Sequence, residues 1–173
     1  SPHKLINEVK VNLDDRLVSK NLRIIEGAYK KAPYYNNVLP LIEQVLRCKK
    51  SNIAEFIEES FYIINEYLGI ETQLIMSSSL DKDNSLKGQD KVLSICKLLN
   101  ASEYYNSSGG QELYSFSDFK SQGIILKFLK SKEVIYKQFD NEFKDNLSIL
   151  DVMMFNSQEQ VREFLNKFDI VTE

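Results

Sequence analysis

An alternation of short apolar segments in the middle of the chain limits its fold more than any other sequence feature. Strand-like segments at Thr72–Met76, Glu103–Asn106 and Ile124–Leu129 are separated by helical patterns at Gln89–Leu99 and Ser117–Ser121. Alternating strands and helices joined by short loops are typical of a parallel sheet. The sequence therefore predicts an α/β fold: a Rossmann-like three-layer arrangement with a short, mostly parallel sheet and a helix-rich remainder.

The two ends of the chain carry most of the remaining helical patterns. The capping residues Asn52 and Gly69 bound the clearest of them, and Ser157 with Gln160 has the spacing of a capping box that starts the last helix. Along that last helix Val161, Phe164, Leu165 and Phe168 are predicted to face inward. The predicted elements are a short strand within Leu5–Val11, helices at Asn12–Ala32, Asn36–Arg47, Ile53–Leu68 and Leu147–Phe155, and the final helix from Ser157.

Length and composition favour a single domain in a reducing compartment. The chain has 173 residues with 43% hydrophobic and 27% charged residues, so residues 1–173 are expected to share one core without disulfides or metal. Cys48 and Cys96 are expected to be free thiols. The sequence contains neither a signal peptide nor an apolar run long enough to cross a membrane, which predicts a cytoplasmic protein. The opening Ser1-Pro2-His3 lacks a methionine, and we expect an N-terminal segment to be missing.

Several function classes are disfavoured by what the sequence lacks. The net charge of −3 argues against general nucleic-acid binding, because phosphate contacts require a basic surplus. His3 is the only histidine, and no Walker P-loop, dinucleotide fingerprint or nucleophile elbow occurs. An enzyme built on this chain would have to use Asp, Glu, Tyr, Lys or water as its acids and bases. No sequence motif indicates a particular cofactor, and no cluster of residues has the spacing of metal ligands.

Two polar loops are predicted to follow strands at the edge of the sheet where ligands bind in α/β folds. One contains Ser77 and Ser78, and the other is the run Asn106-Ser107-Ser108-Gly109-Gly110. Serine hydroxyls and glycine backbone N–H groups are donors suited to phosphate or carboxylate oxygens, and Lys87 could neutralise such an anion. The same residues also make ordinary turns and solvated surface, so both interpretations stay open.

Asp151 is the carboxylate with the most unusual surroundings. It lies inside the apolar run Leu147–Phe155, where an ionised group must be hydrogen-bonded or paired. Such a group either serves as an acid or base or holds a neighbouring loop in place. The sequence leaves both roles possible and favours the structural one.

A series of short motifs extends along nearly the whole chain and resembles one known family. The most specific are Tyr105-Asn106-Ser107-Ser108-Gly109-Gly110-Gln111-Glu112-Leu113-Tyr114 and Leu147-Ser148-Ile149-Leu150-Asp151-Val152-Met153-Met154-Phe155-Asn156. Others include Ala32-Pro33-Tyr34-Tyr35, Ser77-Ser78-Ser79-Leu80, Leu86-Lys87-Gly88-Gln89 and Tyr136-Lys137-Gln138. Their order resembles that of the WbqC-like family of bacterial surface-polysaccharide gene clusters. The N-terminal motif segment of that family is absent here.

The resemblance implies a role in the biosynthesis of O-antigen, the polysaccharide of lipopolysaccharide, or another surface glycan. It suggests an enzyme that transfers an aminoacyl (glycine) or acyl group to an amino sugar, with a nucleotide-linked amino sugar and an activated donor as small-molecule partners. The alternative is a non-catalytic sugar-nucleotide-binding or scaffolding module of a polysaccharide-assembly complex. An oligomer is possible with either function. By motif position, the predicted catalytic residues are Asp151 and Tyr136, and the predicted ligand-binding residues are Ser77, Ser78, Lys87, Asn106, Ser108, Gly109, Gly110 and Gln138.

Overall fold

The computed structural model describes residues 4–139 and 142–173. Ser1, Pro2 and His3, which the sequence singled out, lie outside the described residues. The described chain is a mixed α/β structure that divides into two compact units. Unit 1 contains Ser1–Leu74 and Val134–Leu165, and unit 2 contains Ile75–Glu133 and Asn166–Glu173. The prediction that residues 1–173 form one domain stays a prediction.

Unit 1 is a helical assembly. Its core is built on the buried side chains of Val38, Leu68, Met154 and Val161. The backbone N–H of Tyr34 donates to the carbonyl of Met154 at 3.0 Å, which joins the turn between the first two helices to the C-terminal part of the unit. The helices are α1 (Asp15–Tyr29), α2 (Tyr35–Leu46), α3 (Ile53–Leu68), α6 (Ile149–Phe155) and α7 (Gln158–Phe164).

Capping residues fix the ends of these helices as the sequence predicts. The side chain of Asn52 accepts from the N–H of Ala54 at the start of α3, and Gly69 ends α3 with a left-handed φ of 64°. Ser157 and Gln160 form the predicted capping box at the start of α7. The expected strand within Leu5–Val11 is wrong, because Ile6–Glu8 forms a 3-10 turn and only Lys10 pairs, through an isolated bridge to Asn52.

Unit 2 is a small sheet with helices. It contains a 3-10 turn at Ser77–Ser79, α4 (Gly88–Leu98), β1 (Glu103–Ser107), a 3-10 helix at Ser108–Leu113, α5 (Phe116–Ser121), β2 (Ile125–Ser131) and β3 (Phe168–Val171). Alternation along β2 buries Leu126 and Phe128 and exposes Ile125. Leu126 and Phe128 share a core with Phe119 of α5 and Leu93 of α4.

The sheet of unit 2 differs from the predicted one in its strands and their directions. Strand order is β1-β2-β3; β1 pairs with β2 in parallel, whereas β3 pairs with β2 antiparallel, so the sheet is mixed rather than mostly parallel. The predicted strand at Thr72–Met76 is wrong, because this largely exposed segment has no partner strand among the described residues. Phe168 begins β3 instead of continuing the last helix. The Rossmann-like three-layer arrangement is not confirmed.

Candidate functional site

The best-defined polar cluster of unit 1 is centred on Asp151. Ser148 caps α6 by accepting from the N–H of Leu150, which places Asp151 in the first turn of that helix. Met153 and Met154, on the same short helix, are buried in the core of unit 1. Because α6 is held in this core, the Asp151 side chain is only 4% exposed.

Three side chains donate hydrogen bonds to the carboxylate of Asp151. The Tyr29 hydroxyl donates to Oδ2 at 2.9 Å, the Tyr136 hydroxyl donates to Oδ1 at 2.6 Å, and Gln138 Nε2 donates to Oδ1 at 3.1 Å. All three donors are uncharged. Asp151, Tyr136 and Gln138 were all predicted from the sequence as site residues. The structure brings these three residues together through the hydrogen bonds that Tyr136 and Gln138 donate to Asp151.

The donors are themselves held by a second layer of contacts. Gln138 makes a reciprocal pair with the backbone of Lys144, donating to its carbonyl at 2.9 Å and accepting from its N–H at 2.8 Å. The Tyr136 ring packs against Phe143 and Phe164, with ring centroids 5.3 Å and 6.3 Å away. These contacts fix the positions of the donors, so the cluster does not depend on long, freely rotating side chains.

The cluster borders a cavity of about 470 Å³ within unit 1, here called the polar cavity. Asp151 and Tyr29 contribute its acidic and hydroxyl groups, while Phe139 and Phe155 contribute aromatic walls that meet edge to face at 4.7 Å. The remaining described lining residues are Ala28, Gln138, Glu142, Lys144 and Leu147. The polar cavity is thus lined by carboxylates, aromatic rings and one lysine.

The two tyrosines are strongly held in their protonated form. The pKa of Tyr29 is raised to about 12, first by burial and then by the hydrogen bond to the Asp151 carboxylate and its negative charge. The pKa of Tyr136 is also raised to about 12, first by burial and then by the bond to Asp151, against a lowering contribution from Gln138. At neutral pH both hydroxyls are therefore proton donors to Asp151 and not phenolates.

We expect a phenol titration to show this directly. Folding favours the protonated tyrosines, so this contribution to stability is complete below about pH 10 and is lost as the pH rises through about 12. Ultraviolet absorbance measures phenolate formation, and the difference between the unmodified chain and Tyr29→Phe isolates Tyr29. Asp151→Asn should lower the pKa of Tyr29 while burial keeps it above 10. A Tyr29 signal centred at the pKa of a free tyrosine would contradict the arrangement.

The other predicted site residues lie in unit 2. Ser77 and Ser78 are exposed in a 3-10 turn that follows no strand, and Lys87 is exposed at the residue before α4. Among the described residues, no hydrogen bond joins these three to the Asn106–Gly110 loop. The ligand-binding roles of all seven predicted residues in unit 2 stay predictions.

The loop after β1 is a 3-10 helix whose polar side chains bond to near neighbours. Asn106 donates to the Tyr104 hydroxyl at 3.2 Å and accepts from the N–H of Ser107 at 2.7 Å. Ser108 is half-buried at the start of the 3-10 helix. Neither Gly109 nor Gly110 has a positive φ, and a Cβ on Gly110 would lie 3.5 Å from Asn106 Nδ2, an ordinary contact. The backbone therefore does not require glycine at either position.

Sequence reasoning missed Tyr29, Glu142 and Lys144 as members of the polar cavity. Tyr29 lies in the apolar stripe of α1, where helical spacing predicts only core packing, and its bonded partner Asp151 is 122 residues away. Lys144 takes part through its backbone, to which sequence patterns give no signal. No local pattern in this chain could have connected these residues to Asp151.

The described residues, 4–139 and 142–173, contain no group of three or more His, Cys, Asp or Glu residues placed to hold a metal ion. None of their helices combines the length and the apolar character needed to cross a membrane.

Comparison with known proteins identifies one family. The model of the WbqC-like protein family matches residues 1–163, which is nearly the whole chain. Neither the curated proteins nor the solved structures contain a match to this chain. The family match covers both the Asp151 cluster and the loop after β1. The chain therefore belongs to the WbqC-like protein family.

Proposed function

We propose that this chain is a transferase that moves an aminoacyl (glycine) or acyl group onto an amino sugar in bacterial O-antigen or other surface-glycan biosynthesis. The observation that carries the proposal is the Asp151 carboxylate, 4% exposed, bonded by the uncharged groups of Tyr29, Tyr136 and Gln138, at the wall of the polar cavity. Membership of the WbqC-like family supports the biological setting.

The polar cavity suits a ligand that carries an amine. Burying a carboxylate is costly unless it is hydrogen-bonded and paired, and a cation would complete the pairing that the three neutral donors leave open. The rings of Tyr29, Phe139 and Phe155 line the same cavity, and aromatic faces attract ammonium groups. Lys144 adds a positive charge for a carboxylate or phosphate on the same ligand. A zwitterionic amino acid or a nucleotide-linked amino sugar has this combination of groups.

Asp151 would act on the proton of the acceptor amine. The bound ammonium first gives one proton to Asp151. The freed amine nitrogen then attacks the carbonyl carbon of an activated donor, forming a C–N bond, and the bond from that carbon to the sulfur or phosphate oxygen of the leaving group breaks. The proton on Asp151 moves to the leaving group, and the second proton of the acylated nitrogen leaves to solvent. Positioned acid–base groups of this kind contribute roughly 10²–10⁴-fold to a rate. Tyr136, whose hydroxyl bonds Oδ1 at 2.6 Å, would set the orientation of the carboxylate.

The predicted ligand-binding residues of unit 2 are proposed to bind an anion within that unit. Ser77, Ser78, Ser108 and the backbone of Gly109 and Gly110 offer hydrogen-bond donors for phosphate oxygens. Asn106 and Lys87 would complete this set. Gly110→Ala places the new methyl group at ordinary contact distance, so this variant should fold and report on binding alone.

Calorimetric binding of a ligand panel tests the proposal. The panel contains glycine and other amino acids, nucleotide-linked amino sugars, the same sugar nucleotides with a hydroxyl in place of the amine, and coenzyme A thioesters. We expect an amine-bearing ligand to bind and its hydroxyl analogue to bind at least about tenfold more weakly, because a buried charge is left without its cation. Asp151→Asn should abolish this preference for the amine.

The matched control is Asp145→Asn, an exposed aspartate on the segment before α6 that does not line the polar cavity. It should leave binding of the amine unchanged. Equal affinity for amine and hydroxyl analogues, or a preference for the amine that survives Asp151→Asn, would refute the assigned role of the cluster. Amine binding without turnover of any donor would favour the alternative, a non-catalytic sugar-nucleotide-binding module.

A further inference from the structure

Unit 1 contains a second cavity of different character, here called the aliphatic cavity. Its volume is about 360 Å³, and α1, α2, α3 and α6 all contribute to it. Ile24, Leu41, Val45, Ile64 and Leu150 are representative of its walls, which contain neither a charged nor an aromatic side chain among the described residues. Asn21, Ser60 and Ser148 are its only described polar residues.

The aliphatic cavity and the polar cavity use neighbouring parts of the same helices. On α1, Ile24 and Ile25 line the aliphatic cavity, while Ala28 and Tyr29 line the polar one. Residues four apart lie on one helix face at a rise of about 6 Å. The two cavities therefore border consecutive turns of this face of α1.

The start of α6 contributes to both cavities in the same way. Leu150 lines the aliphatic cavity and the next residue, Asp151, lines the polar one. Successive helical residues differ by about 100° in direction, so the two side chains point to different sides of the helix. The start of α6 therefore borders both cavities, with the carboxylate that would handle the proton on the polar side.

We propose that the aliphatic cavity binds the acyl chain of an activated donor, with the reacting carbonyl in the polar cavity beside Asp151. This inference rests on the proposed transferase function and specifies the donor as one with an aliphatic acyl chain. Uncharged walls exclude phosphate, carboxylate and ammonium groups, for which burial without a partner is costly. Walls without aromatic rings offer no stacking surface to a nucleobase. The chemistry of this lining therefore suits the methylene groups of a flexible aliphatic chain.

A series of thioesters with one common head group tests the inference. The probes are the acetyl, butanoyl, hexanoyl and octanoyl thioesters of N-acetylcysteamine, titrated calorimetrically into the chain. Burial of each methylene should tighten binding about fourfold until the cavity is full. Ile24→Glu should weaken octanoyl binding at least about tenfold and leave acetyl binding unchanged, because the charge lies at the mouth of the cavity.

Ile24 is 59% exposed, so its replacement is not expected to unfold the chain. Leu98→Glu, at a 45% exposed leucine of α4 in unit 2, is the matched control and should bind every thioester like the unmodified chain. Affinity that does not depend on chain length, or an equal response of both variants, overturns the inference. Self-association that Ile24→Glu abolishes, without dependence on chain length, also overturns it and identifies a second copy as the occupant.

The outcomes separate this inference from the proposed function. Asp151→Asn should keep the dependence on chain length while losing the preference for an amine. If amine binding is present and the dependence on chain length is absent, only the acyl cavity is wrong. If the dependence on chain length is present and no amine-bearing ligand binds, the cavity stands and the transferase assignment fails.

Discussion

Replacing Phe119 with alanine is expected to lower the free energy of unfolding of unit 2 by about 4 kcal/mol. Phe119 is fully buried, stacks on Tyr104 at 5.4 Å and meets Tyr114 edge to face at 6.0 Å. The loss combines the transfer free energy of the ring with the cost of the cavity left beneath the sheet. Hydrogen exchange measures it, since protection of the β1 and β2 amides should fall roughly 10³-fold.

Ile125→Ala is the control for this change. Ile125 is 54% exposed and lies on the opposite face of the same sheet, so its truncation should change the free energy of unfolding by about 0.5 kcal/mol or less. Equal effects of the two substitutions would show that α5 is not packed on the sheet. The measurement also tests the single-domain prediction, because a cooperative domain would lose protection in both units together.

Sequence patterns predicted the elements whose signals are local. The Ile53–Leu68 helix has the predicted bounds, since Asn52 and Gly69 mark its ends through their own backbone and side-chain preferences. The capping box of Ser157 and Gln160 is equally local. Such signals need only four or five consecutive residues, so no knowledge of the tertiary structure is required.

The sheet could not be predicted in the same way. Thr72–Met76 has the composition of a strand, but a strand exists only where a partner offers a ladder of hydrogen bonds, and none of the described strands does. Phe168–Val171 became a strand because β2 presents a free edge to it, with Phe128 opposite Val171. Pairing between such distant segments leaves no trace in the pattern of either one.

The candidate site was predictable in part for a physical reason. Asp151 could be predicted as a site residue because a carboxylate in an apolar run requires hydrogen-bond donors. The structure shows three donors to this carboxylate. The family resemblance added Tyr136 and Gln138. Tyr29 was not predicted, because a tyrosine in the apolar stripe of a helix is usually a core residue. Its hydrogen bond to Asp151 depends on the packing of α1 against α6, which the sequence does not show.

Removal of the Asp151 carboxylate should be costly to unit 1 even without any ligand. Asp151→Leu leaves the hydroxyls of Tyr29 and Tyr136 and the amide of Gln138 without their acceptor, and we expect the free energy of unfolding to fall by about 3 kcal/mol. Asp151→Asn keeps an acceptor oxygen of the same shape, so its cost should be about 1 kcal/mol. Equilibrium unfolding in urea measures both, and Asp145→Leu at the nearby exposed aspartate should change little.

A double-mutant cycle of Asp151→Leu with Tyr136→Phe shows whether the cluster acts as a unit. Tyr136→Phe removes a donor to a charged acceptor and should cost about 1.5 kcal/mol alone, but almost nothing in a chain that already carries Asp151→Leu and so lacks that acceptor. Additive costs would mean that the 2.6 Å bond contributes no stability, and the structural role of Asp151 would be refuted. If the coupling is present and Asp151→Asn remains folded, loss of amine binding in that variant reflects the missing charge and not a collapsed site. The structural and chemical roles of one carboxylate can then be measured separately.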